Sequence, residues 1–136
     1  MSGARAGLLA AAAWAASEPL LGRIMGTPFS DVRLLGRPVT RGRAWPAAGL
    51  TLHLANGAFF GAAFERLGCG GVRAGVGVAE LENLVLWPAL FVVDRVHPDR
   101  RSGAWPPLAT SPRVLVYEVA THAVFGAVLG ALLRKP

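Results

Sequence analysis

A single cysteine, Cys69, is present in the 136 residues, so no internal disulfide can form and the redox compartment stays open. Acidic residues are also scarce, with 8 Asp+Glu against 14 Lys+Arg and a formal net charge of +6. A nucleic-acid binder would set its arginines on a face interleaved with aromatics. The chain has neither that face nor a known binding motif, so nucleic acid is not expected as a partner. Catalytic signatures are missing too. There is no serine-nucleophile motif, no H-E-x-x-H and no Walker loop, so an enzyme is not the expectation either.

The most telling absence is of positive charge over long stretches. Arg5 to Arg23, Arg43 to Glu65, Arg73 to Asp94 and Arg113 to Arg134 enclose 17, 21, 20 and 20 residues, none of them Lys or Arg. A bilayer core of ~30 Å takes about 20 helical residues. A soluble helix would instead alternate charge with apolar residues at a 3.6 period. The windows predict an all-α, four-helix transmembrane bundle, one integral membrane domain over 1–136, with spans at about 6–24, 44–64, 74–93 and 114–133. Each window is rich in Ala and Gly, which suits helices packed closely against one another.

What is present is a repeated pattern, H-x3-G-A-x2-G-A. It occurs as His53, Gly57, Gly61 and again as His122, Gly126, Gly130. Four helical residues turn about 400°, so the three residues of each copy share one stripe. Small residues four apart let a second helix approach, and the His on the stripe then faces protein rather than lipid. Ala44-Trp45-Pro46 is likewise echoed by Ala104-Trp105-Pro106. The echoes divide the chain into tandem two-helix units, 1–68 and 72–136, which would be related by an axis along the membrane normal.

The first window also resembles a secretory signal, but apolar character resumes at Leu20-Leu21, which favours a retained helix. Pro19 predicts a kink or an early end there. Between the windows lie polar connectors, 23–43 and 94–113. They carry nine of the fourteen Lys/Arg, which by the positive-inside tendency puts them in the cytoplasm and both termini outside, in a multi-pass inner-membrane protein. The cluster Asp94, Arg95, His97, Asp99, Arg100 reads as a solvated connector or as a lipid-phosphate contact.

Polar residues inside the windows carry the functional question. Glu18, His53, Asn56, Glu82, Glu118 and His122 fall near mid-depth and predict a polar girdle. Glu80 sits nearer the surface, where it would snorkel, and Asn83 lies beside Glu82. Four readings follow, the last of them membrane-enzyme catalysis, for which no motif speaks. The girdle holds a structural or accessory protein together by interhelical hydrogen bonds, with no cofactor and a homo-oligomer or another membrane protein as partner. Alternatively it lines a proton, ion or small-solute path. The third reading is haem or metal ligation by His53, His122 and Glu118.

Overall fold

The computed structural model describes residues 1–134, and every regular element among them is helical. In order these are α1 (Gly3–Met25), α2 (Asp31–Val39), α3 (Trp45–Arg66), α4 (Val72–Leu86), α5 (Leu90–Val96), α6 (Pro98–Arg101) and α7 (Pro112–Leu132). A 3₁₀ turn, Trp87–Ala89, joins α4 to α5 where Pro88 withholds its backbone donor. Three segments are long and apolar enough to cross a membrane: Trp45–Arg66, Val72–Val96 and Pro112–Leu132. α1 has the length, at 23 residues, but Arg5, Glu18, Pro19 and Arg23 leave it more polar, and it is not among the three.

The early end expected at Pro19 does not occur. α1 runs through it to Met25 and closes at Gly26, whose φ of 64° suits only a residue without a Cβ. The Gly26 N–H donates to the Arg23 carbonyl and that of Thr27 to the Gly22 carbonyl at 3.0 Å, so the helix has a well-made stop about two turns beyond the proline.

The long helices associate through small residues on both partners. A Cβ built on Gly7 would meet the Gly57 carbonyl, and one on Gly61 the Gly3 carbonyl, each nearer than 3.0 Å. On the other pair, Gly75 stands against the Gly126 carbonyl and Gly130 against that of Gly71 in the same way. The stripes on α3 and α7 therefore meet counterparts on α1 and α4, antiparallel in both cases. α7 packs in addition on α1, so the order across the molecule is α4, α7, α1, α3, with α2 lying on α3. No comparable packing joins α3 to α4.

The interior of the long helices combines Ala, Gly and polar side chains with Trp14, Phe64, Val114, Tyr117, Phe125 and Leu129, whereas Leu20, Phe59, Leu84, Phe91 and Val116 are exposed. A soluble bundle would bury those large side chains and expose the polar ones. Ala6 and Ala10 of α1 are wholly buried, so this helix belongs to the core.

Both polar connectors are folded, and the Asp94–Arg100 cluster, expected as a solvated connector or a lipid-phosphate contact, is engaged within the protein. Ser30 caps α2 by accepting the Arg33 N–H at 3.2 Å. Arg33 donates through Nε and Nη2 to Asp99 at 2.9 and 2.8 Å. Its guanidinium also lies 5.8 Å from the ring centroids of Trp45 and of Trp105, so the two Ala-Trp-Pro echoes meet on one cation. Asp99 is only 1% exposed, which a carboxylate tolerates here because Arg33 and Arg37 neutralise it. His97 stacks on Trp105 at 4.5 Å between centroids. Its Nδ1 accepts the Asp99 N–H and its Nε2–H donates to the Leu34 carbonyl, and burial lowers its pKa, so it stays neutral. Arg100 is spent on Asp94 at 2.7 Å and on the Trp105 carbonyl. These charges tie connector to connector.

Candidate functional site

Trp14 of α1 is the centre of the polar interior. Its ring lies edge-on between the two imidazoles, with centroids 5.0 Å from His53 and 4.4 Å from His122. The indole N–H donates to Asp31 Oδ2 at 3.1 Å. Asp31 opens α2 and was not foreseen from the sequence, where it read as part of a polar connector. Burial pushes its carboxyl from an ordinary 3.8 up to about 6, against the opposing pull of His122 and Trp14.

His122 is held from both sides. Nδ1 faces the Glu118 carbonyl at 2.7 Å and the Glu118 carboxyl at 3.3 Å, a contact that the i, i+4 spacing on α7 makes possible. A ring nitrogen against a backbone carbonyl must carry the proton, so Nδ1 donates. Nε2 meets Glu82 Oε2 of α4 at 3.1 Å, a contact between the helices of one pair. The Glu118 carboxyl in turn adjoins that of Asp31, a pair that a shared proton would bridge. A continuous string of exchangeable groups thus runs Asp31, Glu118, His122, Glu82.

His53 is 6% exposed and is bound at Nε2 to the Ala11 carbonyl at 3.2 Å, so its Nδ1 is the lone-pair nitrogen. Among the described residues that Nδ1 has no protein partner. The Asn56 side chain has none either, and Asn83 is 8% exposed with a single long contact of 3.5 Å to Glu80. Glu80 does not snorkel freely, since its Oε1 is buried without a partner.

These groups border a cavity of about 260 Å³ in the space between α3 and α4. Asp31, His53, Asn56, Glu82, Glu118 and His122 supply its polar side, and Leu34, Leu86, Leu90 and Val93 its apolar walls. Glu18 is not part of it. That carboxylate accepts the Asp31 N–H at 3.0 Å, the Val32 N–H at 3.3 Å and the Ser30 hydroxyl, and so caps the start of α2. The six side chains expected in one girdle therefore separate into five on the cavity and one under a helix end.

The ligation reading does not fit the arrangement. The Trp14 ring stands between the imidazoles, and among the described residues no group of three His, Cys, Asp or Glu could hold a metal ion. The chain matches no family model, no curated protein and no solved structure.

Proposed function

We propose that this is a small integral membrane protein whose four long helices all cross the bilayer as two related pairs, and that its polar interior is a binding site open between α3 and α4. The observation that carries the reading is the string Asp31, Glu118, His122, Glu82 ending on a cavity instead of on packed side chains. A purely structural girdle would close on itself, because each unsatisfied polar group left in a bilayer costs several kcal/mol. His53 Nδ1 and Asn56 are left without protein partners on the cavity side, which suits water or a ligand.

The two-pair reading is supported by reciprocity. Gly3 and Gly7 face Gly61 and Gly57 as Gly71 and Gly75 face Gly130 and Gly126. A twofold axis relating the pairs would repeat the α1 and α7 contact between α4 and α3. That is where the cavity lies, so the open side is the place at which the repeat departs from symmetry. Crossing by α1 is supported by its burial against α3 and α7, which shields the polar atoms of Glu18 from lipid.

The reading requires the α3–α4 turn and the second connector to lie on opposite faces of the membrane. In oriented vesicles, an impermeant maleimide should label native Cys69 from one side only. In a Cys69→Ser background, Ser102→Cys should be labelled only from the other, and by the charge count that side is cytoplasmic. Labelling of both from the same side would contradict four spans.

A further inference from the structure

The chemistry of the cavity selects among occupants. Its lining is rich in acceptors: His53 presents a lone pair at Nδ1, Glu82 has only Oε2 engaged, and Asp31 and Glu118 are carboxyls. Among the described residues neither Lys nor Arg lines it, and the neighbouring Arg33 and Arg37 are committed to Asp99. An anionic head, phosphate or carboxylate, would meet carboxylates with no free cation to receive it. An ammonium brings three donors and a positive charge to the same groups. Trp14 and Trp87, both on the lining, offer ring faces that attract cations. Above this floor the walls are Leu34, Leu86, Leu90 and Val93, and the gap between α3 and α4 leads to the apolar exterior. The cavity, at about 260 Å³, is several times the ~30 Å³ share of one water.

Resting on the open-groove reading, we infer that the site takes a lipophilic amine, with its ammonium head at Glu82 and His53 and its apolar or aromatic tail along the leucine walls toward the bilayer. The head enters as a donor of hydrogen bonds, and no covalent step is involved.

The test compares phenylbutylamine, phenylbutanol and phenylbutyrate on the full chain in phosphatidylcholine nanodiscs, read by calorimetry and by Trp fluorescence against empty nanodiscs. The amine should bind saturably and about tenfold more tightly than the alcohol, as a charge-assisted contact provides, and the acid should not bind. Glu82→Gln should erase the preference for amine over alcohol. Equal binding of amine and alcohol by the unaltered protein overturns the amine inference alone and leaves a groove for neutral ligands. Saturable binding of none of the three overturns both the inference and the binding reading. The comparison of amine with alcohol needs no variant, so it decides even if Glu82→Gln fails to fold.

Discussion

Asp31 shows how one side chain acquires a role from what surrounds it. Its carboxyl is enclosed by Trp14 and Glu118 and faces His122, while Glu18 takes its backbone N–H. With its pKa at about 6 rather than 3.8, the folded state keeps a proton that the unfolded chain has released. The folded state therefore binds more protons between about pH 4 and pH 6, and stability falls as pH rises through that window. The loss attributable to Asp31 is about 2–3 kcal/mol at 1.36 kcal/mol per unit. Asp31→Asn keeps an acceptor for the Trp14 indole and removes the titration. Its unfolding curves in detergent at about pH 4 and about pH 7 should lie closer together than those of the unaltered protein by that amount. Parallel behaviour of the two proteins would place the proton elsewhere. Nothing in the sequence marked this residue, because a lone Asp after Ser30 in a polar stretch reads as a helix cap and nothing more. His53 and His122 were legible, since their spacing from two glycines fixed them to an inward stripe.

Among the elements, the helix pairs were half legible. The stripes on α3 and α7 were readable as close-contact faces, but their partners were not assigned. The signal was available: Gly3 and Gly7, and Gly71 and Gly75, are also four apart. Each pair straddles the start of a window, at Arg5 or Arg73, where a helix end rather than a packing face was expected. α2 was invisible for a different reason. Gly36 and Pro38 give it poor helix propensity, and it is held by Glu18 from another helix, a contact no local pattern reports. The glycines themselves make a sharp prediction. A Cβ at Gly75 would collide with the Gly126 carbonyl backbone, whereas one at Gly77, on the same helix, meets nothing within 4 Å. Gly75→Ala should cost about 1–3 kcal/mol by forcing α4 from α7. Gly77→Ala should be neutral or gain up to about 1 kcal/mol from helix propensity. Thermal unfolding in detergent checks both, and equal effects would contradict the close approach. Gly57→Leu and Gly126→Leu should fail more severely, with loss of the assembled fold in size-exclusion chromatography.

For the whole molecule, charge distribution exposed the long helices, and three of them have the length and apolarity to cross a membrane. What the sequence could not display is how they are ordered across the molecule. That order leaves α3 and α4 apart and turns a girdle into the floor of a groove. On the proposed reading two surfaces then differ in kind: an exterior of Leu, Val and Phe that would face lipid, and a polar interior that water would reach. Phe59, 76% exposed on α3, samples the first, and Asn56, one turn away on the same helix and itself exposed on the cavity lining, samples the opening to the second. In a Cys69→Ser background, Asn56→Cys and Phe59→Cys should be compared in liposomes by their rates of reaction with N-ethylmaleimide. That reagent requires a thiolate, and hence water, at the sulfur. The groove predicts steady labelling at position 56 and almost none at position 59. Silence at 56, or equal rates at the two positions, would contradict a water-accessible site opening within the membrane.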